Sequence, residues 1–221
     1  SEHPFSICFA HFIAGSMFHL LRRESRAVRE HLKVVQSLAA DEGFPLFQAN
    51  SAILGGWLLA EEGQVETGII QMREGLAAWQ ATGSQSHKAY YLGLLAEARG
   101  RAGEAEEGLQ DIAQALDVVH HTGGRFYEAE LHRLRGQLLV QGDAAGEAEV
   151  AACYRRAMDV ASSQSARVLE LRAATSLARL WQRQGRIDEA RKLLAGIYGW
   201  FTEGFDTVDL VEAKALLEEL G

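Results

Sequence analysis

An all-α fold of repeated helix pairs is predicted by three features of the sequence. First, Gly43, Gly83 and Gly123 recur at intervals of 40 residues, and Gly63 and Gly103 are also 40 apart. Second, apolar residues follow each other at spacings of three and four, as on one face of a helix. Third, the chain has only two prolines, which interrupt helix interiors. A long period with two helical runs per unit predicts a right-handed α-α superhelix of about five helix pairs plus a C-terminal capping helix.

The first two repeat units are delimited by glycine and proline. Helices are expected at about 4–21 and 25–41, then at about 45–61 and 64–81. Gly43 is a suitable left-handed residue after a helix, and Pro45 fits the first turn of the next one. Gly63 separates the second pair, in which Trp57 and Trp79 contribute to the apolar faces.

The remaining units follow the same pattern with a small slip. Helices are expected at about 86–101 and 104–121, 125–140 and 147–162, and 165–184 and 186–200. The connection at 142–146 is a longer turn, and Asp206 is a candidate N-cap for a last helix at about 207–220. The resulting single domain, 1–221, has approximate units 4–42, 44–82, 84–122, 124–163 and 165–203 and a capping helix at 206–221. We expect it to be a fragment of a longer protein.

Composition and charge exclude several classes of function. Apolar residues make up 48% and charged residues 24% of the chain, which is typical of a folded globular protein. The net charge is −8, shared equally between the two halves, so neither half has the basic footprint of a nucleic-acid-binding domain. Cys8 and Cys153 lack a CxxC spacing, and we expect two buried thiols in a reducing, cytoplasmic compartment.

The first predicted helix is strongly apolar between Phe5 and Leu21. It lacks the basic start of a signal peptide, His11 and His19 interrupt it, and it is short for a membrane span. We therefore interpret it as a buried helix and expect no membrane partner. If Phe9 and similar residues are exposed instead, the helix becomes a surface for forming a homodimer.

The sequence contains no recognisable catalytic or metal-binding constellation. A GxSxG elbow, an HExxH motif and a GxxxxGK[ST] phosphate loop are all absent. His11 and His19 are eight residues apart, too far along a helix to share one ion easily, and the adjacent His120 and His121 point in different directions. No enzyme activity, cofactor or metal is expected.

Small residues after the central glycines resemble the pattern of tetratricopeptide repeats (TPRs). The residue five positions on is small in three units, as in the pairs Gly63 and Gly68, Gly103 and Gly108, and Gly185 and Ala190. The resemblance implies that the two helices of a pair pack closely and that the A helices form a concave protein-binding face. The period is about 40 here, against 34 in that family, and the proline at the repeat end is absent.

A narrower resemblance is carried by longer segments, among them 42–46, 68–79 and 126–131. They look like the MalT-like C-terminal repeat region of large bacterial signalling proteins with adenylate or guanylate cyclase and AAA- or STAND-type ATPase domains. This resemblance implies a regulatory role, with nucleotide chemistry in other parts of the parent protein.

The TPR resemblance also predicts which residues bind a partner. In that family, concave-face residues lie at fixed offsets of 13, 10, 6 and 2 before the closing glycine, counted here from Gly63, Gly103, Gly142 and Gly185. The predicted binding residues are Asn50, Trp57, Glu61, Tyr90, Glu97, Arg101, His132, Arg172, Arg179 and Arg183. Aromatic and arginine side chains are frequent anchors at interfaces, and the arginines would suit an acidic or carboxylate-bearing peptide.

Three functions remain open at this stage. The first is a non-catalytic domain that binds a protein or peptide and controls an attached output domain. The second is a sensor that holds a small-molecule effector in the groove. The third is an assembly module that uses the apolar first helix.

Overall fold

The regular structure of this chain is helical throughout the described residues, which in the computed structural model are 3–143 and 146–221, without the side chain of Ser16. The helices are α1 Pro4–Leu21, α2 Ser25–Asp41, α3 Pro45–Glu61, α4 Val65–Ala81, α5 Lys88–Ala102, α6 Ala105–Thr122, α7 Glu128–Gln141, α8 Glu147–Ser163, α9 Arg167–Arg183, α10 Ile187–Tyr198 and α11 Val208–Glu219. The predicted all-α class and helix pairs are confirmed. Part of the predicted turn at 142–146 lies outside the described residues.

The helices fall into two compact units. The first contains α1–α5 and ends at Glu104, and the second begins at Ala105 and contains α6–α11. In the first unit α3 packs on α4, and α5 contacts both. In the second unit α7, α8, α9 and α10 pack in succession, while α7 and α11 also contact α9. The single domain predicted for 1–221 stays a prediction.

Two glycines let α3 and α4 pack with their backbones in contact. A Cβ added to Gly68 would collide with the carbonyl oxygen of Gly56, and one added to Gly56 would lie 2.6 Å from the carbonyl oxygen of Gly68. The close approach predicted from the small residue after Gly63 is therefore confirmed at this position.

A left-handed residue ends most of the first helices of each pair. Gly63, Gly103 and Gly185 have φ of +88°, +80° and +74°, a region in which glycine has no steric penalty. The fourth pair differs, because Gly142 has φ of −83° and the left-handed residue is Asp143, at +47°. The structural equivalent of the closing glycine is thus one residue later than the sequence indicates.

Helix α1 is less buried than the sequence predicts. Cys8, Phe12 and Leu20 face the core, whereas Phe5, Phe9 and Phe18 are 48%, 51% and 61% exposed. Helix α2 and the aromatic rings at the start of α3 cover only part of it, so the interpretation of α1 as a buried helix is corrected. The helix meets the length and composition criteria for a membrane span, with a mean hydropathy of 1.4 over 18 residues. Core helices and signal sequences meet the same criteria.

The second unit has a continuous apolar core that includes one of the two cysteines. Leu171, Leu177 and Leu194 are fully or almost fully buried there, together with Cys153 and Tyr154. Both thiols are free and buried, as predicted. Burial raises the pKa of Cys8 and of Cys153, which keeps both in the unreactive thiol form.

Candidate partner-binding surface

The predicted binding residues lie along the first helix of each pair, which are α3 and α5 in the first unit and α7 and α9 in the second. We call these the A helices. In both units neighbouring A helices touch each other, α3 with α5 and α7 with α9. Burial differs from one offset position to the next along these helices.

The positions farthest from the closing glycine are in the core of the first unit. Asn50 is 3% exposed and Tyr90 is fully buried. The amide oxygen of Asn50 accepts a hydrogen bond of 2.8 Å from the hydroxyl of Tyr91. Every residue between Ala89 and Ala96 is buried, so this stretch of α5 has no open face. The rule assumes one open face, so its placement of Asn50 and Tyr90 on the surface is corrected: a partner cannot reach them here.

The positions nearer the glycine form a polar cluster at the surface of the first unit. The indole of Trp57, itself 3% exposed, donates a hydrogen bond of 3.3 Å to Glu97. Arg101 pairs with Glu97 at 3.2 Å and also with Glu61. The side chains of Glu61, Glu97 and Arg101 are 25%, 22% and 33% exposed. Four predicted residues are thus brought together. Trp57 is buried beneath the cluster, and the side chains of Glu61, Glu97 and Arg101 have a net charge of −1.

In the second unit the first position of the predicted arginine stripe is used inside the protein. Arg172 donates to Asp209 through two hydrogen bonds of 2.8 and 2.7 Å, which joins α9 to α11. It also lies 3.4 Å from Glu130 on α7, to which Arg133 donates bonds of 3.0 and 2.7 Å. The side chain of Arg172 is 11% exposed, and those of Glu130 and Asp209 are 4% and 3%. This network therefore stabilises three helices rather than binding a partner.

The charges of this network are maintained by the ion pairs. Burial acts to raise the pKa of Glu130, but Arg133 and Arg172 outweigh it and lower the pKa to about 2. Burial acts to lower the pKa of Arg172, and its attraction to Glu130 and Asp209 raises it instead. Glu130 and Arg172 therefore both stay ionised at neutral pH.

His132 does not occupy one of the offset positions on α7. The count that selected it began at Gly142, whereas the left-handed residue is Asp143. Counting the same offsets from Asp143 gives Glu130, Arg133, Gln137 and Gln141. Arg133 donates a hydrogen bond of 2.9 Å to Gln137 and also pairs with Glu130. Three of the positions counted from Asp143 are thus joined by side-chain hydrogen bonds. The side chain of His132 is 16% exposed and lies 3.9 Å from Glu128, one helical turn earlier on α7.

The last two predicted arginines are on the surface of the second unit. Arg179 has 53% of its side chain exposed and lies 4.0 Å from Glu212, beyond hydrogen-bonding distance. Arg183, one turn later on α9, is also exposed. Together they form a basic patch on α9, whereas the polar cluster of the first unit carries a net negative charge.

The two acidic residues of the buried network, Glu130 and Asp209, are absent from the predicted binding residues. Glu130 and Asp209 are almost fully buried, and Glu130 is followed three positions later by Arg133. This spacing puts both side chains on one helix face and was a usable signal. The pairing of Arg172 with Asp209, 37 residues apart, had no local signal. Within the described residues, no group of three or more His, Cys, Asp or Glu side chains is arranged to hold a metal ion.

Comparisons with known proteins support the fold. No family model matches the sequence. An uncharacterised protein of Rhizobium meliloti is 31% identical over 130 residues, which are 59% of this chain but only 12% of that protein's length. A crystal structure of nearly identical TPR-like repeats from a putative kinesin light chain of Podosopora anserina superposes with a TM-score of 0.56, covering 99% of this chain and 98% of that one. A substituted version of it gives 0.58, covering 90% and 96%. Both are 16% identical to this sequence, so the likeness concerns the fold: the chain has a TPR-like helical-repeat structure.

Proposed function

We propose that this chain is a protein- or peptide-binding repeat module without catalytic activity of its own. The observation that carries the proposal is the charged side chains that the A helices expose within each unit, in a fold that commonly mediates protein binding. In the first unit these are Glu61, Glu97 and Arg101. In the second unit they are Arg179 and Arg183.

The basic end favours an acidic partner segment. Arg179 and Arg183 are one helical turn apart, so both guanidinium groups lie on one face and can reach neighbouring carboxylates of an extended or helical peptide. Glu212 is too distant from Arg179 for a hydrogen bond. The partner would therefore replace a weak internal contact rather than break a strong one.

The test is a charge reversal at both arginines. Arg179→Glu combined with Arg183→Glu should weaken capture of acidic protein or peptide partners by at least about tenfold, since each arginine loses a charge-assisted hydrogen bond. Arg191→Glu is the matched control, because Arg191 is also exposed but lies on α10, which is not an A helix. Capture that is unchanged in the double variant, with unchanged helicity, rejects this surface.

We also propose a regulatory role in a longer cytoplasmic protein that carries an ATPase, a cyclase or a transcription-regulating domain. The support is the resemblance of segments such as 68–79 to repeat regions of such signalling proteins. In addition, the matched relative is much longer than this chain. Nucleotide turnover by the longer protein should change when a partner occupies the module, and turnover that ignores partner binding contradicts the regulatory role.

Self-association through α1 is a second candidate, favoured by the exposure of Phe5, Phe9 and Phe18. The rings of Phe5 and Phe9 are stacked, with their centroids 6.4 Å apart, and present one apolar surface. A solution mass greater than that of one chain is what this candidate requires.

A further inference from the structure

A pocket of about 510 Å³ opens in the second unit where α6, α7 and α8 meet. Its volume lies within the range of small-molecule sites, which is roughly 300–1,000 Å³. Leu116 and Val119 of α6 form an apolar wall, and the remaining lining is polar or charged: His120, Gly123, Arg125, Glu128, His132 and Arg156.

Opposite charges meet inside this pocket. The side chain of Glu128 is only 9% exposed, and its carboxylate oxygen Oε2 accepts a hydrogen bond of 2.6 Å from Arg125 Nε. Its other oxygen, Oε1, lies 3.6 Å from Arg156 Nη2 and 3.9 Å from His132 Nε2. Both distances exceed a hydrogen bond, so Oε1 has acceptor capacity for a ligand donor.

The guanidinium groups of Arg125 and Arg156 have more N–H donors than Glu128 can accept. The side chains of Arg125 and Arg156 are 53% and 55% exposed, and each guanidinium carries five N–H donors. One carboxylate cannot neutralise both, so a second anionic group is favoured beside them. Arginine donors match a planar carboxylate well.

The C-terminal end of helix α6 adds partial negative charge on one side of the pocket. Helix α6 ends at Thr122, next to the pocket residue Gly123, and presents carbonyl oxygens with partial negative charge. A ligand with only a carboxylate would face this end and Glu128, and a ligand with only an amine would face two arginines. A zwitterion satisfies both sides.

We propose that this pocket binds a free α-amino acid with an apolar side chain. The carboxylate is held by Arg125 and Arg156, the ammonium donates to Glu128 Oε1, and the side chain packs against Leu116 and Val119. The site is separate from the exposed arginines of α9, since neither Arg179 nor Arg183 lines it. The proposal therefore goes beyond the proposed partner binding.

The experiment is calorimetric titration of the purified chain with L-leucine and with two analogues. N-acetyl-L-leucine lacks the ammonium, and L-leucinamide lacks the carboxylate. Leucine should bind at one site, and each analogue should bind at least about tenfold more weakly, the factor expected for losing a charge-assisted hydrogen bond. An analogue that binds as well as leucine overturns the proposal. So does the absence of millimolar binding by leucine, valine and phenylalanine.

Variants then locate the site. Arg156→Gln should weaken leucine binding at least about tenfold, since Arg156 is exposed and its loss leaves the fold intact. Arg155→Gln is the matched control, because Arg155 is the exposed neighbour on α8 and lies 5.8 Å over the ring of Trp181 instead. Equal loss of binding in both variants, or no loss in Arg156→Gln, overturns the assignment. Neither variant should affect partner capture through Arg179 and Arg183.

Discussion

At the scale of single residues, the buried network around Arg172 shows why charge alone does not identify a binding site. A guanidinium is withdrawn from water only when carboxylates compensate for the lost hydration, and here Glu130 and Asp209 do so. Arg179 lies seven residues later on the same helix and remains exposed. Two arginines that look equivalent in the sequence therefore have different roles.

Removing Arg172 should destabilise the second unit strongly. Arg172→Met removes a buried positive charge that compensates the buried carboxylates of Glu130 and Asp209, and we expect the free energy of unfolding to fall by about 3–5 kcal/mol. Arg179→Met is the matched control and should change it by no more than about 0.5 kcal/mol. Urea denaturation followed by circular dichroism measures both values. Similar small losses in the two variants would show that the network contributes little to stability.

At the scale of helices, close backbone contact sets how α3 packs on α4. Gly68 faces Gly56 across this contact, and an added methyl group would collide with a backbone oxygen that cannot rotate away. Gly196 of α10 is also helical, but an added Cβ there meets nothing within 4 Å. The same substitution should therefore have opposite effects at the two positions.

We expect Gly68→Ala to lower the midpoint of thermal unfolding and Gly196→Ala to raise it. The first change forces α3 and α4 apart, at a cost of about 1–3 kcal/mol. The second gains helix propensity, with a benefit of up to about 1 kcal/mol. Differential scanning calorimetry of both variants checks the signs. A stabilising Gly68→Ala would contradict the close approach of the two backbones.

Three imidazoles meet between α1 and α2 and make this contact sensitive to pH. His31 Nδ1 lies 2.9 Å from His11 Nδ1, and the ring of His31 stacks on that of His19 with centroids 5.4 Å apart. Glu24 pairs with His19, and Glu30 opposes the effect of the other imidazoles on His31. Burial, followed by repulsion from His11 and His19, lowers the pKa of His31.

Acidification should consequently weaken the first unit. Because the folded state lowers the pKa of His31, the neutral ring is favoured, and its stabilisation is present above the unfolded pKa of about 6.5. It is lost as pH falls through the lower folded value. His31→Gln should reduce the loss of stability between about pH 7.5 and pH 5.5, whereas His121→Gln, an exposed control, should retain all of it. His87 and His132 also have lowered pKa values, so some loss should remain. Identical urea-unfolding profiles for the three proteins would rule out this role of His31.

At the scale of the whole molecule, the exposed face of α1 should decide the state of association. If the stacked Phe5 and Phe9 form an interface, the chain should behave as a dimer in light scattering after size exclusion. Phe5→Glu with Phe9→Glu should then give a monomer, because burying two carboxylates in an apolar interface is unfavourable. Ile70→Glu is the control, since Ile70 is 57% exposed on α4. A monomer before any substitution excludes α1 as an assembly surface at the concentrations measured.

The sequence by itself determined the helices, their approximate ends and the repeat pattern. These depend on local physics: apolar spacing, the scarcity of proline, and glycines that accept a left-handed backbone at Gly63, Gly103 and Gly185. The TPR resemblance, rather than local physics, selected Trp57, Glu61, Glu97 and Arg101, and these four side chains do lie together in the first unit.

The tertiary structure alone decided which of these side chains remain available. Burial of Tyr90, the pairing of Arg172 with Asp209, and the exposure of Phe5 depend on helices that are distant in the sequence. Because the left-handed residue is Asp143 rather than Gly142, the offset positions on α7 lie one residue later than predicted. His132 is therefore not one of them and lines the pocket instead. Helix formation follows from near neighbours in the chain, whereas solvent access and ion pairing follow from how whole helices pack.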